Sequence, residues 1–398
     1  MRDDASFYDY KPIMTKDALK PDQYWMQMAL DLAQKGRYTT APNPAVGCVL
    51  VKDNQLVGAG WHQKAGQPHA ERLALAQAGA QAQGATAYVT LEPCSHYGRT
   101  PPCSEGLIEA GVKRVVTAMK DPNPLVSGRG IQQLQQAGIE VEVGCLQAQA
   151  EAINPGFIMA MKQKRPFVRL KIATSLDGRT ALQNGQSKWI TGNLARQEVH
   201  KLRALHGAII TGIGTVLADD PSLNVRLPAT ILEELYLQDE VPHPLRVVLD
   251  ANLRFPLSAK MLSLPGRTLI MTTQEAVEKA PEISDALIEQ GAELIAVSSQ
   301  GERLHLPAVL GYLLNEEQVQ EVMVEAGSVV AGAFVRAGLV DEFHVFMAPA
   351  LLGDAARPML HLPLIESMAD KIQLEYQSIK RVGEDLYAVL VPAAKSQE

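Results

Sequence analysis

PHAERLALAQAG at 68–79 and LEPCSHYGRTPPC at 91–103 decide how this chain is to be read. Between them they offer His69, Glu71, Cys94 and Cys103. Pro68 favours a helix start, and Leu73, Ala74, Ala76 and Ala78 continue a run of apolar and small residues at helical spacing. His69 and Glu71 then lie in a first turn, about 200° apart around the axis, and share no face. Both can still reach round a ligand beyond the helix end, which is electropositive. Cys94 follows a strand-like run, ATAYVTLEP, and Cys103 follows Pro101 and Pro102 at what reads as a second helix start. Two positive helix ends would converge on two thiolates and a metal.

Three ligands, His69, Cys94 and Cys103, leave one tetrahedral position open, the pattern of a catalytic rather than a structural zinc site. Glu71 is the odd member. Held near the open position, it would take a proton from zinc-bound water, whose pKa is brought to roughly 7, and pass it to a leaving amine. Zinc nucleobase deaminases work this way, with an H-x-E and P-C-x-x-C signature. HAE matches the first half and Pro93-Cys94 begins the second, but Tyr97 stands where the next cysteine is due. The competing reading is a buried cysteine pair beside a hydrogen-bonded histidine; ligand type, proline placement and the extra carboxylate favour the metal.

The chain has 398 residues, which implies two or three domains, and its 46% hydrophobic and 20% charged content is that of a globular protein. A net charge of -7 supplies no whole-chain field for nucleic acid. Four cysteines are too few for a disulfide scaffold, and Cys48 and Cys145, in apolar strand-like runs, are expected to be buried free thiols. A reducing compartment follows. The N-terminus is charged throughout without an apolar signal core, and no run of about 18 apolar residues occurs, so a cytoplasmic protein without a membrane partner is expected.

Residues 1–19 read as an extension outside the fold. Residues 22–36 show helical periodicity with Gly36 as a stop, and two apolar runs around Asp53-Asn54 read as a hairpin. AYVTL, VKRVVTAM and GIEVEVGC are further strands, separated by the helix that Cys103 opens, which makes an α/β sandwich. The text changes between Ala150 and Pro166, and Lys162, Lys164 and Arg165 read as a solvated linker. The expected domains are 20–164 and 165–398. In the second, GAIITGIG, LRVVLD, RTLIMTT, AELIAVS, EVMVEAG, DEFHVFMAP and DLYAVLVP are strands alternating with helices, and 228–243 is a surface loop or short helix.

PCSHYGRTPPC with HAE upstream resembles the deaminase half of the bifunctional riboflavin-biosynthesis deaminase and reductase family, in which the long cysteine spacing is normal. The resemblance implies a cytidine-deaminase-like fold over residues 20–150. It places Asn43 of PNPAVG, His62 of GWHQKAG, and His96, Asp121 and Asn123 around the pyrimidine substrate. From the residues alone, Asn43 between prolines suits rigid base recognition but is equally a turn-former, and Asp121 and Asn123 in DPNP read first as turn-formers.

Two glycine-bearing turns mark the second half. Gly212 and Gly214 follow one apolar strand, and Gly327 and Ser328 stand between a strand and a helix, where exposed amides suit a dinucleotide pyrophosphate. Neither is a Rossmann fingerprint. The ordered set KIATSLDGRTA, SKWITG, ADDPSLNVR, VVLD and VEAGSVVAGAFVRAGLVDEF resembles the family's reductase half, which implies a dihydrofolate-reductase-like fold and NADPH. Carried over, Ala173, Trp189, Thr215, Asp219, Ala251, Gly327, Ser328, Val329, Val330, Ala331, Gly332 and Ala333 hold the cofactor. Ser187, Arg203, Leu223, Arg226 and Glu325 hold the ribose phosphate substrate, for which an arginine fork is apt. Asp219 is also the expected residue for steering cofactor and proton, and Lys171 is a weaker candidate left outside the set.

The resemblance thus implies a hydrolase and an oxidoreductase in one zinc- and NADPH-dependent chain that acts on a small pyrimidine ribosyl phosphate and associates as a dimer or tetramer. No arginine for a 2'-phosphate can be singled out from the sequence. Two other classes are open on residue types alone. One is a nucleic-acid base editor, against which the acidic balance argues; the other is a non-catalytic, zinc-stabilised binding protein.

Overall fold

A computed structural model describes residues 21–97, 101–124, 126–235 and 242–393. The expected extension at 1–19 lies outside them, as do 98–100 of the SHYGRT segment and 236–241 of the acidic stretch. The chain divides into two compact units between Lys162 and Gln163.

The first unit runs α1 (Pro21–Gln34), β1 (Gly47–Lys52), β2 (Gln55–Trp61), α2 (Ala70–Ala78), β3 (Thr86–Val89), α3 (Cys103–Glu109), β4 (Arg114–Thr117), α4 (Arg129–Gln136), β5 (Glu140–Val143), α5 (Gln147–Ile153) and α6 (Pro155–Gln163). Its sheet has the order β2-β1-β3-β4-β5. β1 is antiparallel to β2 and β3, whereas β3, β4 and β5 are parallel. Asp53 and Asn54 turn the β1–β2 hairpin with φ of 51° and 60°, the left-handed region that short polar residues tolerate.

Successive strand residues face opposite sides, so each strand feeds two cores. Val49 and Val51 of β1 pack with Met26, Ala29 and Leu30 of α1 and Ala150 and Ile153 of α5. Cys48 and Leu50 pack with Ala70 and Ala74 of α2, Leu107 of α3 and Leu134 of α4. The result is the expected αβα sandwich, with α2 and α3 side by side on one face. Cys48 is buried as expected, but Cys145 follows the end of β5 and is only half-buried, because the strand stops at Val143 and the chain turns through Gly144.

The second unit opens with β6 (Phe167–Ser175), β7 (Arg179–Ala181), α7 (Asn193–Leu205), β8 (Ala208–Gly212), α8 (Ile213–Asp219), α9 (Ala229–Glu234), β9 (Leu245–Leu249) and β10 (Thr268–Thr272). It continues with α10 (Gln274–Lys279), α11 (Pro281–Glu289), β11 (Ala292–Ala296), β12 (Ser299–Gln300), β13 (Arg303–Leu304), α12 (Leu306–Asn315) and β14 (Glu321–Val324). α13 (Ser328–Arg336), β15 (Glu342–Ala348), β16 (Arg357–Pro358), β17 (Leu374–Val382) and β18 (Asp385–Pro392) complete it.

Nine strands form one sheet in the order β11-β10-β9-β8-β14-β6-β15-β18-β17. From β11 to β15 neighbours run parallel, and the β17–β18 hairpin closes the sheet antiparallel. Val322 and Val324 face α12 and α13, while Met323 faces the layer of α7, α8 and α11. Parallel strands covered on both faces read as the near-continuous apolar runs seen in the sequence.

β17 was not among the expected strands, because it sits at the sheet edge and most of its residues are exposed. Arg165 departs from the solvated-linker expectation. It makes two 2.7 Å bonds to the Asp341 carboxylate, which also accepts from Val168 N at 2.8 Å, so it anchors the start of β6 to that of β15.

Candidate active sites

His69 caps the N-terminus of α2 with extended backbone, and Glu71 occupies the first turn. Cys103 is the first residue of α3, behind the cap residue Pro102. Arg72 of α2 donates to the carbonyls of Pro101 and Pro102, at 3.2 and 2.9 Å, and so fixes the approach of Cys103. Cys94 comes from the turn after β3, and its sulfur accepts from Cys103 N at 3.3 Å.

His69 Nδ1 lies 3.6 Å from Cys94 Sγ and 3.4 Å from Cys103 Sγ. A tetrahedron built on zinc's usual Zn–N and Zn–S bond lengths has an N···S edge of about 3.6 Å, so one imidazole and two sulfurs at these separations fit the metal. Among the described residues, this is the group of three or more metal-binding side chains, and His96 is not in it.

The electrostatics suit a cation. The hydrogen bond from Cys103 holds the Cys94 thiol down at about 4, with burial opposing and His69 assisting, while the same bond pushes Cys103 up. One thiolate beside one thiol is the state from which a metal would release a proton on binding. Glu71 is 4% exposed. Burial pushes it up to about 6, the Cys94 charge adds, and His69 opposes. A buried carboxylate raised toward neutrality beside three potential metal ligands has the chemistry a proton carrier needs.

Beside the triad, Asn43 Nδ2 is 3.2 Å from His62 Nε2, and His62 Nδ1 is 3.2 Å from the carbonyl of Pro68. The His62 ring stands edge-on to His69 at 5.5 Å, and burial lowers its pKa. Asn154 grips Ala45 at both ends, accepting from its amide at 2.7 Å and donating to its carbonyl at 2.9 Å, and this fixes the loop that carries Asn43. Asp121 is buried and pushed up to about 6 by that burial, with the charges of Glu92 and Cys94 adding and His96 opposing. His96 itself is exposed and Asn123 half-buried.

In the second unit a cavity of about 1030 Å³ lies at the carboxyl ends of the parallel strands. Its walls include Ala173, Ser187, Trp189, Thr215, Asp219, Ala251, Glu325, the first turn of α13 and Ala333. Ser187 donates to Asp219 at 3.0 Å, and the amide of Gly327, which caps α13, donates to Thr215 at 3.2 Å. Trp189 is 71% exposed and carries the Arg196 guanidinium 4.4 Å above its ring.

Arg203 donates twice to Glu325, at 3.0 and 2.8 Å, and Lys171 donates at 3.3 Å. Burial opposes ionisation of Glu325, but the two cations win and hold its carboxyl well below the usual range. His200 and Arg226 complete this end; burial and the neighbouring arginines hold His200 down at about 4, hence neutral.

The comparisons follow this division. Residues 19–119 match the cytidine and deoxycytidylate deaminase zinc-binding region, and residues 166–388 match the RibD C-terminal domain. The riboflavin biosynthesis protein RibD of Escherichia coli (strain K12) is 48% identical over 376 residues, which is 94% of this chain and 100% of that protein. The chain belongs to the RibD family.

Two solved RibD-type structures agree. Acinetobacter baumannii RibD, form 1, has a TM-score of 0.84 at 48% identity and covers 94% of this chain and 99% of its own. The diaminohydroxyphosphoribosylaminopyrimidine deaminase/5-amino-6-(5-phosphoribosylamino)uracil reductase of Thermotoga maritima has a TM-score of 0.80 at 33% identity, with 94% and 99% covered. The fold is therefore that of a RibD chain, a cytidine-deaminase-like domain followed by a dihydrofolate-reductase-like one.

Of the residues carried over to the reductase half, three do not line the cavity. Leu223 is 2% exposed, its side chain in the core, so that only its main chain, with φ of 45°, is left for a ligand. Ala331 is 1% exposed against the sheet, and a Cβ on Gly332 would come within 2.1 Å of the His361 carbonyl oxygen. A seven-residue run on a helix cannot present every position to one side.

Lys171, the weaker candidate left outside the set, does line the cavity. His200 and Arg254 line it too, and Glu92 and Asn154 brace the deaminase loops; none of these four was singled out in the sequence. A basic residue in KIATS carried a weak signal for Lys171. The bracing residues had none, since their partners are main-chain atoms distant in sequence.

Proposed function

We infer that the chain carries out two consecutive steps of riboflavin synthesis. The first is hydrolytic deamination of 2,5-diamino-6-(5-phospho-D-ribosylamino)pyrimidin-4(3H)-one. The second is NADPH-dependent reduction of its ribosyl group, giving 5-amino-6-(5-phospho-D-ribitylamino)uracil. The observation that carries the reading is the His69, Cys94 and Cys103 triad with a buried Glu71 in one unit and a separate large cavity with a fixed cationic end in the other.

Zinc held by His69, Cys94 and Cys103 would supply an acidified water at neutral pH. Glu71, buried beside that site, would carry the proton from the attacking water to the departing amino nitrogen. Asn43 and His62 orient the pyrimidine, and His96, Asp121 and Asn123 close its other side. NADPH bound in the second unit's cavity would supply the hydride for C1' of the opened ribosyl group. The first turn of α13 would hold its pyrophosphate, and Trp189, Thr215, Asp219 and Ala251 would complete the cofactor's wall. Arg203 and Arg226 bind the substrate phosphate, Ser187 and the Leu223 main chain fix the sugar, and Glu325 pins Arg203 and Lys171.

Metal analysis with a coupled assay of ammonia release and NADPH oxidation on the purified chain tests the reading. One equivalent of zinc and both activities are expected. Deamination without NADPH oxidation would reduce the second unit to a binding domain.

The partner is a small molecule. Among the described residues no helix is long and apolar enough to cross a membrane. Two thiol ligands that must stay reduced support a cytoplasmic setting. Self-association is supported by the edge strand β17, which exposes Tyr376 and Ile379, and by exposed Leu364 and Met368. An open edge beside apolar surface favours pairing with a second copy.

A further inference from the structure

Glu92 stands two residues before Cys94 and is 3% exposed, and among the described residues its carboxylate is hydrogen-bonded by main-chain amides. Burying a carboxylate is unfavourable unless its lone pairs are filled. Here main-chain amides fill them. Oε2 accepts from Asp121 N at 3.1 Å and Gly128 N at 2.9 Å. Oε1 accepts from Gly130 N at 3.0 Å and Ile131 N at 3.4 Å.

These four donors belong to the start of the DPNP loop and to the amino end of α4. A second contact closes the same joint from the other side. A Cβ on Gly130 would stand 2.0 Å from the carbonyl oxygen of Pro93, so α4 begins directly on the peptide that precedes Cys94. The bonds then continue outward, because Asp121 Oδ1 accepts from Asn123 N at 2.8 Å. One carboxylate therefore ties the turn carrying a metal ligand to the loop carrying Asp121 and Asn123.

We propose that Glu92 is a positioning residue for the deamination, holding the Asp121–Asn123 loop at a fixed distance from Cys94 so that substrate is presented to the metal side of the pocket. The proposal rests on the deaminase reading above. It does not make Glu92 a ligand or a proton carrier: both its oxygens are occupied and it faces main chain, not the open side of the triad.

The test is a double-substitution cycle on the full chain, with ammonia release from the diaminopyrimidine ribosyl phosphate, zinc content and NADPH oxidation as readouts. Glu92→Gln keeps the shape but turns an NH₂ group toward two amide donors. Zinc content should stay at the wild-type value. kcat/KM for ammonia release should fall about 10- to 100-fold, mostly through KM, as expected for a displaced positioning loop.

In an Asn123→Ala background the same change should cost less than about threefold more, because both changes act on one loop. A purely structural residue would give full multiplication of the two effects, and that outcome overturns the proposal; so does loss of zinc from the Glu92→Gln chain. Glu92→Asp keeps the charge one methylene short and should show the same non-additivity at smaller size, which serves if the Gln chain does not fold. Ammonia release by the wild-type chain separately tests the underlying reading, so the two can fail independently.

Discussion

Replacing Glu71 by glutamine removes a proton carrier while leaving its shape, and the structure sets two magnitudes for the result. A positioned general acid–base contributes about 10²- to 10⁴-fold, so ammonia release should fall by that factor while zinc and NADPH oxidation stay at wild-type levels. The second magnitude is one of stability. Burial raises Glu71 from its ordinary 4.5 to about 6, so the folded, metal-free chain holds this proton more tightly than the unfolded chain.

The stability contributed by that proton is full below about pH 4.5 and is lost as pH rises to about 6. The gap corresponds to roughly 2 kcal/mol. Glutamine carries no charge to desolvate, so metal-free Glu71→Gln should gain about 1–2 kcal/mol at pH 7 and little at pH 4.5. Urea melts of the metal-free chain at both pH values, beside ammonia release of the zinc-loaded chain, measure the two effects. Lower activity with higher stability is the mark of a group kept for chemistry. Ammonia release near the wild-type rate, or loss of zinc, would refute the role assigned to Glu71.

The remaining predictions concern the second unit. Lys171→Met should lower NADPH oxidation about 100-fold by removing a charge-assisted contact at the cationic end, with ammonia release unchanged. Arg254 lines the cavity on the turn that carries Ala251, and Arg254→Ser should raise KM for NADPH about 10- to 100-fold while KM for NADH moves little, since only the former carries a 2'-phosphate. Gly332→Ala should destabilise the unit by about 1–3 kcal/mol in thermal melts through its collision with His361, without a matching rise in KM for NADPH. Ile379→Lys on the β17 edge should lower the mass measured by light scattering, and an unchanged mass would move the self-contact elsewhere.

The sequence disclosed what depends on local pattern. The triad and Glu71 were legible because HAE and PC are short and each pair is set by one turn of chain. Parallel strands were legible because burial on both faces makes their runs uniformly apolar. β17 escaped because an exposed edge strand has no such run. Glu92 and Asn154 escaped for another reason: their partners lie up to 39 and 109 residues away and are main-chain atoms, which leave no trace in residue type. Leu223, Ala331 and Gly332 show the converse limit, since a shared motif names positions without saying which face they turn to a ligand.

A carbonyl oxygen can only accept, so Pro68 draws the proton of His62 onto Nδ1. Burial disfavours the charged ring, which suits Nε2 to accept from the amide nitrogen of Asn43. Asn43 consequently has one way round, its nitrogen to the imidazole. The peptide that introduces His69 thus also sets the orientation of the Asn43 amide. Asn43 is proposed to orient the pyrimidine; with its nitrogen so engaged, its oxygen is the end left to accept from a ring that offers a hydrogen.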